Sequence, residues 1–239
     1  YGVRSQWRFD LSLFKRLVRY GSPSGIQLFV EILGVTFFVF MVGRLGEVEL
    51  AATNIAFSVY NFCFLPMIGF HIGVGVLVGQ AIGGGRWQDG QEATMSAIHM
   101  TLCYMVFVAI VFNVIPETLA EAFRAREIPD ADFIPIREVG RLAFRFLAVF
   151  SCFDAVLLIY SGALKGAGDT LFVMKAAAVT CVGCMMVPLY VGITWFGFGI
   201  AEAWVAFTLD LGVLGVVYFL RFRKGAWRSM NVIGKEASA

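Results

Sequence analysis

The sequence predicts an all-α, polytopic membrane protein, and three observations predict it. The 239 residues are 59% hydrophobic and only 15% charged, with a mean hydropathy of +0.78. A soluble domain of this size would carry about a quarter charged residues. Apolar stretches of about 20 residues recur, the length that crosses a hydrocarbon core of about 30 Å. The charges gather at the ends of those stretches, and a net charge of +2 leaves no footprint for nucleic acid.

Six spans follow in order. Residues 1–21 read as a basic cytoplasmic or interfacial linker, with Arg4, Arg8, Lys15, Arg16 and Arg19 set between Trp7, Phe9, Leu11 and Phe14. The start at Tyr1, with no methionine and no signal-peptide core, suggests a fragment whose N-terminal part is missing. The first span covers 22–43, opening at Ser22-Pro23 as N-cap and first-turn proline. The second, 50–83, is too long for one crossing; Pro66 is placed to bend it, and its end extends past the bilayer. The third, 94–115, stops before Pro116. A mixed-charge loop, EAFRAREIPDADFIPIRE, leads to the fourth at 139–163, then a fifth at 171–193 and a sixth at 199–221. The lobe is thus 22–222, and 223–239 form a cytoplasmic tail.

Six spans put Arg4 to Arg19, Arg86, Lys165, Lys175, Arg221, Arg223, Lys224 and Arg228 on one side. By the positive-inside rule that side, with both termini, is cytoplasmic, in a cell's inner (plasma) membrane. Gly69, Gly73, Gly75, Gly79 and Gly83 give small-xxx-small spacings on the second span, where helix backbones can approach closely. Cys63, Cys103, Cys152, Cys181 and Cys184 lie within apolar segments; the one CxxC lacks a second pair and reads as packing.

The polar residues inside the spans carry the functional argument. Glu31, in LFVEILG, lies about ten residues beyond Gly21, or roughly 15 Å deep. Asp154 lies about eight residues from Gly162, or roughly 12 Å deep on the same side. A charged acid at that depth costs about 2.5–3.5 kcal/mol on insertion scales and should face a wet cavity or a partner. No membrane-central Lys or Arg is on offer, so each acid is either protonated or paired with a cation from solution. Both outcomes make a proton or sodium site; an interhelical hydrogen bond alone would need only an amide or hydroxyl. Asp210, in FTLDLGVLG, is a third buried acid, for which either role is open. Glu202 lies near the outer end of its helix and reads as solvated. His71 and His99 read as packed imidazoles with one hydrogen bond each. Asn54 and Asn61 share a helix face and either line a cavity or join helices.

FSCFDAVLLIYSGALKGAGDT ends in a glycine-rich turn. It lacks the spacing and lysine of a phosphate loop and follows no strand. Asp169 is about 22 Å along the helix from Asp154, so the two form no aspartyl dyad. The turn reads as structural, with Asp169 or Thr170 capping the next helix.

GRLGEVELAATNIAFS, VGQAIGGGR and YSGALKGAGDT resemble the MATE (multidrug and toxic compound extrusion) family, in its NorM-type bacterial branch. The resemblance runs over essentially the whole chain and matches the C-terminal six-helix lobe of a twelve-helix transporter. It implies a multidrug efflux antiporter that exports often cationic drugs in exchange for H+ or Na+, with no other cofactor. Its partners would be drugs, the bilayer and the missing N-terminal lobe. In that branch a glutamate on this lobe's first helix and an aspartate on its fourth form the cation site, at the positions of Glu31 and Asp154. Some members place a tyrosine one turn before the aspartate; Phe150 stands there, which removes a hydroxyl ligand and tilts the expectation toward protons. A flippase for pyrophosphate-linked sugars of similar fold would want basic cavity residues, and the candidates are acidic. An intramembrane enzyme lacks a dyad, a Ser–His spacing or an HExxH. A non-transporting scaffold would tolerate Glu31→Gln with Asp154→Asn.

Overall fold

Every backbone N–H and C=O inside a bilayer must be satisfied within the protein, which leaves this apolar sequence the helix as its solution. The computed structural model describes residues 11–124 and 129–230, and of residues 12, 13, 16, 130 and 132 the backbone alone. In order come α1 (Leu11–Gly43), α2 (Glu47–Gly83), α3 (Trp87–Val114), α4 (Pro116–Ala122) and α5 (Asp130–Gly166). Then follow α6 (Thr170–Thr180), a π-helical turn (Cys181–Met186), α7 (Val187–Trp195), α8 (Ile200–Arg223) and a 3-10 turn (Ala226–Ser229). Among the described residues six helical stretches are long and apolar enough to cross a membrane, α6 to α7 counting as one. The six-span, all-α expectation holds.

Several boundaries differ from expectation. Ser22-Pro23 does not start α1; the helix runs through Pro23 from Leu11. The carbonyl that Pro23 leaves without a donor belongs to Arg19, which is exposed, so water can satisfy it. The rest of the expected linker, residues 1–10, lies outside the described residues. The 116–138 loop is largely helical: α4 opens on Pro116, and α5 starts nine residues early at Asp130. Arg137 ties them together, at 3.7 Å from Glu117 and 3.8 Å from Glu121, and Arg141 also pairs with Glu117. The fifth span is interrupted. In a regular helix the Pro188 ring would press on the Cys184 carbonyl, and the widened π turn just before it relieves that clash.

The hub is α5, which packs along α2, α3 and α8, while α1 lies chiefly on α6. Two apolar clusters fill the bundle. One holds Phe38, Phe144, Trp204 and Phe207 and ends on α5 at Ala155; the other begins at Leu157 and holds Leu164, Val173, Tyr218 and Trp227. Phe207 stacks on Phe38 at 4.5 Å and on Phe150 at 5.1 Å. Each such pair adds about 0.5–1.5 kcal/mol, and lipid supplies no hydrophobic force of its own between helices. Between the clusters runs a polar seam at one level: Thr101 on α3, Asp154 on α5, Thr180 on α6, Thr208 and Asp210 on α8, all buried.

The α2–α5 contact is made by glycines from two motifs. A Cβ on Gly75 would stand 3.2 Å from the Gly162 carbonyl, and one on Gly79 would stand 3.1 Å from that of Gly166. Gly69 and Gly73 face open space, so only part of the expected small-residue stripe is a contact. The pairings rise together along both sequences, so the two helices run in the same direction.

The GAGDT turn is structural, as its composition suggests, but not through a side-chain cap. Gly168 takes φ +94°, the left-handed conformation glycine adopts most cheaply, and its N–H donates to the Lys165 carbonyl at 3.0 Å. Asp169 sits at the N-cap position without a side-chain cap. Its carboxylate instead accepts from Arg221 Nε at 2.7 Å, and that guanidinium lies 4.6 Å from the Phe172 ring. The α5–α6 turn is thereby latched to the end of α8.

Candidate functional site

The glycine crossing sets what surrounds Asp154. With α2 held against α5, His71 Nδ1 lies 2.8 Å from the Leu158 carbonyl, and further up the same interface the Tyr60 hydroxyl donates to Asp154 Oδ2. Asp154 is 6% exposed and Tyr60 is 7% exposed. Asp154 therefore has a neutral donor and, among the described residues, no basic partner. Tyr60 meets Phe150 edge-on at 5.2 Å. The hydroxyl that Phe150 cannot supply thus reaches Asp154 from α2.

Glu31, half-buried midway along α1, accepts from Gln27 Nε2 at 2.7 Å, one turn back on its own helix. Gln27 is 1% exposed and its Oε1 has no hydrogen-bond donor. Glu31 and Asp154 lie within electrostatic range of one another but share no hydrogen bond. The expectation that no basic residue reaches the pair needs correcting. Lys165, from the last turn of α5, acts electrostatically on Glu31 from beyond ion-pair distance. Among the described residues neither acid forms an ion pair.

The other named residues divide. Phe150 is buried between Tyr60 and Phe207, and Asp210 is 7% exposed; both lie in the core and line no open surface. Asn54 and Asn61 are exposed and join no helix among the described residues, so the helix-joining role is not seen. His71 has its single hydrogen bond, but His99 is exposed and has none among the described residues. Glu202 is exposed as expected and also accepts from the Gly199 N–H at 3.0 Å, capping α8. The five cysteines are free thiols. A cleft of about 500 Å³ opens elsewhere, among Asn113, Glu117, Arg141 and Arg145 where α3, α4 and α5 meet. None of the expected site residues lines it.

Sequence reasoning missed three participants. Gln27 was legible, being one turn before Glu31. Lys165 had been assigned to the basic end of the bundle, and the reach of its charge depends on helix packing. Tyr60 had no local signal, since its partner is 94 residues away.

A hydrogen bond to a charged group contributes about 1.5–3 kcal/mol. Tyr60→Phe is therefore expected to lower thermal stability by about that much, with little change in volume. Tyr104→Phe, which removes a hydroxyl bonded only to the Cys63 carbonyl at 3.0 Å, should lower it by about 0.5–1.5 kcal/mol. Thermal melts of the two variants side by side check the difference.

The MatE family model matches residues 23–191. Two curated relatives are both named "Probable multidrug resistance protein NorM". The Thermotoga maritima protein is 26% identical over 93% of this chain and 46% of its own length. The Pseudomonas putida protein is 28% identical over 95% and 48%. The chain thus spans about half the length of the curated relatives it matches. Solved structures share the fold at low identity. A MOP superfamily transporter from Pyrococcus furiosus superposes with TM-score 0.82 at 18% identity, covering 93% of this chain and 49% of that one. An outward-facing multidrug resistance MATE family transporter gives 0.81 at 17%, covering 95% and 50%.

Proposed function

The chain belongs to the MatE family, and on that premise we propose that it is one six-helix lobe of a multidrug efflux antiporter, with Glu31 and Asp154 as its coupling acids. The observation that carries this is a pair of carboxylates within apolar spans on different helices, each held by a neutral side chain and, among the described residues, neither by a salt bridge. Neutral donors position a carboxylate without cancelling its charge, so the charge remains for an incoming cation. Cation entry removes one net negative charge from the core and biases the equilibrium between two helix arrangements; a drug that prefers the other arrangement is released.

Protons are the favoured coupling ion. A proton needs only one carboxylate oxygen, and either acid can supply it. The exported drugs would be cationic, matching acidic sites. The protein would sit in a cell's inner membrane with the basic end cytoplasmic. The ends of α2 and α5, the start of α6 and the Arg221–Arg228 segment gather there, where Arg228 bonds Gln91 at 3.0 Å and stacks 4.3 Å from the Trp87 ring. The second lobe would come from chain beyond this sequence.

Dye efflux by the full-length protein under separately imposed H+ and Na+ gradients tests the reading. Efflux that follows the proton gradient alone is expected. Efflux indifferent to both would remove the antiport, and dependence on sodium alone would replace the ion.

A further inference from the structure

We propose that Asp210 is a second proton-exchanging site, formed by α8, the last residue of α6 and the π-helical turn, apart from the Glu31–Asp154 pair. Asp210 lies in the polar seam at 7% exposure, and its Oδ1 meets no hydrogen-bond donor. The Thr180 side chain, at the end of α6, is the polar group that acts on its carboxyl group, though the two share no hydrogen bond in this structure. The single hydroxyl proton of Thr180 is shared between the Ala176 carbonyl at 3.1 Å and the Ala177 carbonyl at 3.3 Å. With that proton engaged, a hydrogen bond from Asp210 to the hydroxyl oxygen would require a protonated carboxyl group. When Asp210 is ionised, the same hydroxyl can turn and donate to it. The Thr180 hydroxyl can thus serve either state of the acid, as acceptor or as donor.

The surroundings suit exchange. Among the described residues no Lys, no Arg and no second carboxylate acts on Asp210. From the π turn its neighbour is the Cys181 thiol, and along α8 it is Tyr218, whose hydroxyl is engaged with the Val173 carbonyl at 2.8 Å. From α1, Glu31 acts on Cys181 and Tyr218 but not on Asp210. From α5, Asp154 and Lys165 interact with Glu31 instead. A fixed interhelical bond here would need only an amide or hydroxyl. The π turn supplies a wider, more yielding wall than a regular α-helix. The proton that joins the carboxyl group comes from water and returns to it.

The inference rests on the antiport reading only for its consequence, a second proton per cycle; its test needs neither drug nor gradient. The full-length protein in detergent is titrated while infrared difference spectra record the protonated-carboxyl C=O stretch. One component that grows as the pH falls should vanish in Asp210→Asn and persist in Glu31→Gln/Asp154→Asn. Thr180→Val should shift the midpoint of that component. The proposal is overturned by an Asp210→Asn spectrum that superimposes on the wild type, or by a lost component that is present at every pH. Should Asp210→Asn fail to fold, an unmoved midpoint in Thr180→Val overturns it equally.

Discussion

Asp154→Asn in the full-length protein is expected to cut gradient-driven efflux tenfold or more, about 1.4 kcal/mol of coupling, while the lobe stays folded. Asparagine has the size of aspartate and keeps an oxygen to accept from Tyr60, so the α2–α5 contact survives. It cannot carry a charge, so an arriving proton or cation finds nothing to neutralise. The substitution therefore separates the two uses of one side chain, joining helices and holding an exchangeable charge. Efflux in inverted vesicles, together with a melting curve, reads both. Unchanged efflux would withdraw Asp154 as a coupling residue; lost efflux with a collapsed melt would make it a structural one.

Gly166→Val should strongly destabilise the bundle. A Cβ at Gly166 overlaps the carbonyl, carbon and Cα of Gly75, and one at Gly162 stands 2.5 Å from the His71 carbonyl. These are backbone atoms of a neighbouring helix, so no rotamer change relieves the overlap and the helices must part. Overpacking of this kind costs about 1–3 kcal/mol, occasionally more, and lowers Tm by about 2–4 °C per kcal/mol in a domain of this size. Gly69→Ala, on the same helix as Gly75, meets nothing within 4 Å and is expected to gain about 0.5–1 kcal/mol through the unfolded chain. Opposite signs at Gly166 on α5 and Gly69 on α2 would confirm that the crossing, and not glycine content, sets the effect. Fluorescence-detected thermal unfolding of both variants makes the comparison.

How far the structure was legible in the sequence follows from the range of each interaction. Six apolar stretches are properties of single helices, and hydropathy along the chain sufficed for them. Helix starts were harder. Ser22-Pro23 satisfies the local rule for an N-terminus, yet α1 passes through it because Leu11–Tyr20 continues the helix and the carbonyl Pro23 leaves bare is exposed. Pro188 shows the same rule at full strength, since there the helix does change its winding. Partnerships between helices carried no local mark. Asp169 looked like a cap and is an ion-pair partner of Arg221, 52 residues on; Phe150 looked like a lost ligand, and Tyr60 brings the hydroxyl from elsewhere. Glycine spacing announced a close approach without saying which glycines would make it.

The division of the interior into two greasy blocks with a thin wet-chemistry layer between them has a bearing on how the sequence can drift. Aliphatic and aromatic exchanges that conserve volume are tolerable near either membrane face, where Phe38 or Leu164 answers only to shape. At the level of Thr101, Asp154, Thr180 and Asp210 a replacement must also keep donors and acceptors matched. Tolerance to substitution in this lobe should therefore be graded by distance from the bilayer midplane, with position along the chain saying little about it.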